Sequence, residues 1–331
     1  MSSTVIKISK HRNDYEFIVA ESHIDLNGFY EPLSKDALSS GTKQSQKSID
    51  FLSDSKKVLL SPIGSFYHFI TDHAGSALDL YRQDNSIEFI IDTFMLEGMP
   101  GNQGSYLLRS FLKLLAYNGI KYQTFSRPNF DTININNFYI KHYHHQIGDP
   151  QTTLFEMYAE YLDLANKKPT RDVYLSRTLS HSPQESDENS LRIDDERALE
   201  KYFSSLGFDI IYPEDFRDLD EQICFFHGVR TLVSLTSSGI TGATFMQPGQ
   251  TVIELVTPMV INFPDENNYY ESTRIEELHH FYVFMCFRKN HKYMAISNET
   301  KNAKKLIKSL ESDDIFKAFL NRSRSRRWFK K

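Results

Sequence analysis

The sequence predicts an α/β protein of two tandem domains, and three observations predict it. At 331 residues the chain is long enough for two domains of ordinary size, each with its own core. Helix-period and strand-like runs alternate through residues 67–145. The alternation then restarts from Asp172, after the polar segment KKPTRD at 167–172. No fixed-period repeat links the halves, although both read as helices layered on a largely parallel sheet. The boundary is expected in KKPTRD, giving domains over 1–168 and 169–300, with helices and a basic tail over 301–331.

The elements follow in order. The first ~60 residues mix strand-like runs, VIKIS at 5–9 and YEFIVAE at 15–21, with a loop-like polar stretch at 33–48. Segment 67–82, YHFITDHAGSALDLYR, has Phe69, Ile70, Ala74, Ala77 and Leu78 at helical spacing, and SIEFIIDTF at 86–94 follows as a buried strand. SYLLRSFLKLLAYNG at 105–119 is an amphipathic helix closed by Gly119, followed by the strand IKYQTF at 120–125. TININNFYIKHYHH at 132–145 reads as one strand. PQTTLFEMYAEYLDLANKK at 150–168 reads as one long helix whose cationic end suits its dipole.

In the second half, DVYLSR at 172–177, FDIIY at 208–212, RTLVSLT at 230–236 and TVIEL at 251–255 read as strands. DERALEKYFSSLG at 195–207 and LDEQICFFHGV at 219–229 read as the helices between them, and two lysine-rich helices lie at 303–311 and 313–323. In open parallel sheets a ligand sits at the carboxyl ends of the strands. The loops after Arg177, Thr236 and Leu255 are therefore the place to look.

Composition narrows the class. Hydrophobic residues at 40% and charged residues at 24% describe a soluble globular chain. Its two cysteines, Cys224 and Cys286, lie in apolar runs, which suits a reducing cytoplasm better than a disulfide framework. No N-terminal signal and no ~18-residue apolar window is visible, so a cytoplasmic protein is expected. A net charge of −5 argues against a general nucleic-acid binder. The exception is RSRSRRWFKK at 322–331, with six cations, Trp328 and Phe329, which reads either as a peripheral contact with an anionic membrane surface or as a solvated terminus.

Several residues carry possible chemistry. Thr236, Ser237, Ser238 and Gly239 place small side chains and backbone N–H groups at the start of a short helix expected over 240–246. Such a start can bind phosphate, and the alternative is a tight strand-to-helix turn without ligand. Arg177 and Arg192 flank the same edge, as bidentate phosphate ligands or as surface ion pairs. Glu254, between Ile253 and Leu255, can accept the two hydroxyls of a ribose or face water on an edge strand. Asp218 and Asp220 resemble an Asp-x-Asp metal motif, but Glu221 three residues after Asp218, ahead of Ile223 and Phe226, marks a capped helix start instead. His68 and Asp72, four apart, would share a helix face as a base and its tuning partner, or as a satisfied polar pair. His142, His144 and His145 lack the carboxylate or cysteine pattern of a metal site, and His279 and His280 read as decoration of a helix face. No GxGxxG follows a predicted strand, which speaks against a dinucleotide enzyme.

Taken in order and spacing, DVYLSR, LRIDDERALEKYFSSLGFDII at 191–211 and the run from Asp218 to Leu255 resemble the catalytic domain of glycosyltransferase family 61. That group contains plant β-1,2-xylosyltransferases and animal O-linked N-acetylglucosaminyltransferases. The likeness extends to YHFITD at 67–72 and covers roughly 60–80 and 172–256. The resemblance implies a GT-B fold, two Rossmann-like domains with a cleft between them. It also implies inverting transfer from a nucleotide sugar, usually a UDP-sugar, to a hydroxyl of a glycan or glycolipid acceptor, with no metal and no further cofactor. It assigns Arg177 and Arg192 to the diphosphate, the loop at Gly239 to the nucleotide, Glu254 to the ribose, and His68 and Asp72 to the acceptor side. One departure stands out: where the family commonly has His-Gly-Ala-Gly, this chain has Thr236-Ser237-Ser238-Gly239. The rival expectation is a binding protein that lost turnover with that histidine.

Overall fold

The computed structural model describes residues 15–18, 22–25, 48–60, 66, 69–93, 103–126, 129, 132–141, 150–179, 193–256, 282–283, 285–297 and 302–325. Chain contacts group the protein into two compact units, 1–154 and 155–331. Mixed α/β structure with parallel sheets, of the Rossmann-like kind, is observed in each.

The first unit is built on a five-stranded sheet ordered β1-β8-β4-β5-β6. Its core strands are β4 (Lys56–Leu60), β5 (Ile87–Asp92) and β6 (Tyr122–Phe125), parallel and adjacent in chain order. Helices fill each crossover, α1 (Gly75–Gln83) between β4 and β5 and α2 (Gln103–Tyr117) between β5 and β6, because parallel neighbours need a long return connection. The edge strand β1 (Tyr15–Ile18) pairs antiparallel with β8 (Phe138–Lys141). A smaller sheet joins β2 (Ser22–Asp25), β7 (Thr132–Ile135) and β3 (Ser48–Phe51). Phe51, Ile90, Phe125, Ile133, Ile135 and Phe138 form one buried cluster.

Three expectations are corrected here. The run 132–145 is not one strand: Asn137, at φ 49°, turns the chain, and the halves enter different sheets as β7 and β8. Asparagine tolerates this left-handed conformation better than most residues, and the Asn136-Asn137 pair is the local signal. The helix over 67–82 does not stay α-helical. Phe69–Ala74 forms a π-helical turn, closed i→i+5, before α1 begins. Third, helix α3 (Pro150–Tyr161) stops well short of its expected cationic end. Asp163 takes φ 49°, and Lys167 and Lys168 lie in the connection beyond.

The second unit carries a sheet parallel throughout, in the order β10-β9-β11-β12-β13. Its strands are β9 (Arg171–Leu175), β10 (Asp209–Ile211), β11 (Val229–Leu235), β12 (Thr251–Val256) and β13 (Lys292–Ser297). One face places Tyr174, Val233, Leu235, Ile253 and Leu255 against Leu199 and Phe203 of α4 (Glu196–Ser205). The same cluster takes in Leu306 and Leu310 of α6 (Ala303–Ser312), and Phe316 and Leu320 of α7 (Asp314–Ser325). Period-two alternation turns Leu175 to the opposite face, where a 3₁₀ helix, Ser238–Phe245, and α5 (Leu219–His227) pack together. Helices thus line both faces, as a parallel sheet requires.

Helix starts match their sequence signals. The Asp195 side chain accepts the Ala198 N–H at 3.2 Å to open α4, and Asp218 Oδ1 accepts the Glu221 N–H at 2.8 Å to open α5. The return half of the second cap is displaced by one residue: Glu221 accepts from the Arg217 N–H at 2.9 Å. At helix ends, Gly119 and Gly207 take φ 66° and 81°, the left-handed exit that glycine permits. Strand β13 had no assignment in the sequence, because in KYMAIS neither face is uniformly apolar.

Candidate functional site

The strand order of the second unit locates the site. Counting its strands in chain order, β9 is first, β10 second and β11 third, so the sheet reads 2-1-3-4-5. The winding direction reverses between β9 and β11, and the crevice at their carboxyl ends is where ligands of such sheets sit. Two segments line it: Ser176-Arg177-Thr178 after β9, and Thr236-Ser237-Ser238-Gly239 after β11.

The first segment is held by two glutamates one turn apart on α4. Glu196 Oε1 accepts the Arg177 backbone N–H at 2.9 Å and the Tyr174 hydroxyl at 3.2 Å. Glu200 Oε1 accepts from the hydroxyls of Ser176 at 2.7 Å and Thr178 at 2.5 Å. Burial raises the Glu196 carboxyl above its usual range, while the bonds from Arg177 and Tyr174 and the nearby guanidinium pull it back. The Arg177 side chain is half-buried at the crevice, its backbone fixed by this cradle.

The second segment answers why the loop is so poor in large side chains. A Cβ on Gly239 would lie 2.4 Å from Leu175 Cδ2, and one on Gly242 would lie 2.3 Å from the Phe226 ring. Glycine at these two places lets the 3₁₀ helix lie directly on β9 and α5. Ser237 begins the helix, its carbonyl accepting the Ile240 N–H at 3.1 Å and the Tyr282 hydroxyl at 2.8 Å. Among the described residues the N–H groups of Ser238 and Gly239, in the first turn, meet no acceptor. Ser238 is exposed and Gly239 half-exposed, so these donors and the positive end of the helix face the crevice mouth. An eight-residue 3₁₀ helix is long for its type.

Glu254 lies behind this loop, fully buried on β12 between β11 and β13, which rules out the water-facing edge position. Thr236 Oγ1 donates to its Oε1 at 2.6 Å, and the Tyr293 hydroxyl donates to Oε2. One rung of the sheet holds Leu175, Ser234, Glu254 and Ala295 side by side. Ser234 Oγ donates to Leu235 O at 2.9 Å and lies 3.4 Å from Ser237 Oγ. Burial, with the Glu254 charge beside them, pushes the Tyr293 phenol and the Cys286 thiol well above their ordinary values. Neither is a ready nucleophile, and Cys286 is a free, buried cysteine.

The structure therefore brings Arg177, Thr236, Ser237, Ser238, Gly239 and Glu254 to one edge of one sheet. Arg192, His68, His142, His144, His145, His279 and His280 lie outside the described residues, as does the side chain of Asp72, whose backbone is in the π-helical turn. Sequence reasoning missed Glu196 and Glu200 as the cradle of Arg177, and Tyr293 as the partner of Glu254. The i, i+4 pair of glutamates on the helix after β9 was a usable signal; Tyr293 had none, because β13 itself was not visible. Asp218 and Asp220 are both in structural use, the first as a cap and the second accepting from the Tyr161 hydroxyl at 3.2 Å.

No curated protein matches the chain. The family model for Glycosyltransferase 61 matches residues 66–253, more than half of the sequence. That span contains the π-helical turn, β9 with Arg177, and the whole loop after β11, and ends at Ile253, one residue before Glu254. The chain belongs to glycosyltransferase family 61, and with it to the sugar transferases.

Proposed function

We propose that the protein is an inverting glycosyltransferase that uses a nucleotide sugar, a UDP-sugar in the first instance, and a glycan or glycolipid hydroxyl as acceptor. One observation carries the reading. The crevice where the parallel sheet reverses direction is lined by a cradled arginine and by N–H donors at a helix start that meet no acceptor among the described residues, inside the stretch that matches the family. Those are the groups that hold a diphosphate. The two units would make the halves of a GT-B enzyme, the second taking the donor.

In this reading Arg177, Arg192 and the N–H groups of Ser238 and Gly239 bind the diphosphate. The acceptor oxygen attacks the anomeric carbon as the carbon–oxygen bond to the diphosphate breaks. The electron pair leaves with the nucleotide, and the acceptor proton passes to Asp72 or His68. Charge grows on the leaving diphosphate, so fixed donors there lower the barrier. Both Glu254 oxygens accept a hydroxyl hydrogen and the residue is fully buried, so a ribose could reach it only if the surrounding residues moved. We therefore assign Glu254 to holding Thr236, the first residue of the loop, in place.

Incubation with a panel of nucleotide sugars tests the reading. Release of UDP that stops in Asp72→Ala or His68→Ala supports the enzyme. Tight UDP binding without release, whatever the acceptor, supports the rival in which turnover has been lost. Thr236→His separates the two further, because regained turnover would mark the threonine as the weakening change.

A further inference from the structure

Beyond sugar transfer, we infer that the outer side of the α6–α7 pair is an electropositive docking face for an anionic lipid surface, the cationic sequence that follows adding to its charge. Charge is strongly segregated in this chain. Residues 301–331 carry eleven Lys and Arg against three Asp and Glu, a net +8 in a protein of net −5, so the first 300 residues carry −13.

The fold turns this composition into a surface. Helix α6 buries Ala303, Leu306 and Leu310 in the core of the second unit, and α7 buries Phe316 and Leu320 there. Helical periodicity then leaves Lys304, Lys305 and Lys308 exposed together on the outer side of α6. The three acids of the segment are engaged nearby. Asp313 caps α7 through the Ile315 and Phe316 N–H groups, Asp314 pairs with Lys317 at 3.2 Å, and the Glu311 charge acts on Tyr202. On α6 itself three exposed lysines stand against one acid, Glu311. Ile315, at the start of α7, is 74% exposed, and the sequence that follows adds Arg322, Arg324, Arg326, Arg327, Trp328, Phe329, Lys330 and Lys331.

Cations interleaved with large apolar side chains fit a headgroup layer, where the charges meet anionic lipid and the apolar groups enter the acyl boundary. A nucleic acid would satisfy the charges but offer no apolar phase. Among the described residues no helix is long and apolar enough to cross a membrane, so the contact is one of lying on the surface.

Co-sedimentation of the full chain with phosphatidylcholine vesicles, with and without phosphatidylglycerol, tests this, and neither donor nor acceptor is needed. The expected result is binding only to the anionic vesicles, lost at high salt. Lys304→Glu with Lys305→Glu and Lys308→Glu should weaken it at least about a hundredfold at unchanged melting temperature, since each cation near the lipid contributes about fivefold. Trp328→Ala should weaken it by a smaller factor. Should the triple reversal also unfold the chain, Lys→Gln at the same three positions gives the reading instead. Equal binding to both vesicle types, no binding, indifference to the triple change, or equally good displacement by a nucleic-acid duplex would overturn the proposal. Failure here would leave sugar transfer untouched.

Discussion

Among the described residues each unit holds a charged strand residue with no exposed surface, Lys57 at the start of β4 and Glu254 near the end of β12, and the two are satisfied in different ways. Lys57 Nζ donates to Ser53 O at 2.9 Å, Ser55 O at 2.7 Å, and Asn136 O and Oδ1 at 3.1 Å each. Every partner is a loop oxygen, three of them backbone, at the amino end of a parallel strand, where ligands of such sheets do not bind. Burial still lowers its pKa, as it must for a cation taken from water. Glu254 sits at the opposite end of its sheet, and its partners are side-chain hydroxyls of Thr236 and Tyr293. One of those belongs to the loop that faces the crevice. Lys57 serves the fold; in the proposed reading Glu254 holds a loop that serves the site.

The sharpest separation comes from removing each charge. Lys57→Met takes the ammonium donor from four part-buried loop oxygens, two of which keep a second donor, and should cost about 2 kcal/mol of stability, while the folded fraction binds UDP as before. Chemical denaturation and calorimetric titration read the two effects independently. If UDP affinity fell together with stability, the division between the two buried charges would fail.

A buried histidine shows a third solution, which is to stay neutral. Burial holds His291 at about 4, against an ordinary value of 6.5, with the Lys289 charge adding to the effect and the bond from its ring to Ala243 O, 3.1 Å, opposing it. Its folded-state value is depressed, so the unfolded chain takes up the proton first. Stability contributed by the neutral ring is complete above the unfolded value and is lost as pH falls from about 6.5 towards 4, about 3 kcal/mol in all. His227 has the same direction of shift, chiefly from burial. Denaturation curves over this window should show the loss, and His291→Gln should reduce it, leaving only the part that His227 contributes. A slope unchanged by that substitution would place the effect elsewhere.

The smallest change should come from Glu254→Gln. The amide can still accept from Thr236, so stability should fall by no more than about 1 kcal/mol, while a loosened Thr236 weakens UDP binding about tenfold. An unchanged affinity would show that the loop holds its position without Glu254.

How much of this was legible in the sequence follows the same division. Elements marked by strong local chemistry were read correctly: α4 and α5 from the caps at Asp195 and Asp218, the exit of α2 from Gly119, and β11 and β12 from apolar runs. The π-helical turn at Phe69–Ala74 and the break at Asn137 were not, because apolar spacing does not report which hydrogen bonds close a turn or which sheet a strand enters. At the site, Arg177 and the TSSG loop were visible as residue types, but the close packing of Gly239 on Leu175 and of Gly242 on Phe226 was not. The role of Glu254 depends on Tyr293 from a strand that pairs with β12 only in three dimensions.

The central claim is that the crevice between β9 and β11 holds the diphosphate of the donor. Calorimetric titration of UDP into the wild-type chain and Arg177→Ala tests it most directly. Binding to the wild type at one site, weakened about thirtyfold in the variant (about 2 kcal/mol) at unchanged melting temperature, is the predicted result. UDP bound equally well by both proteins, or by neither, would contradict it.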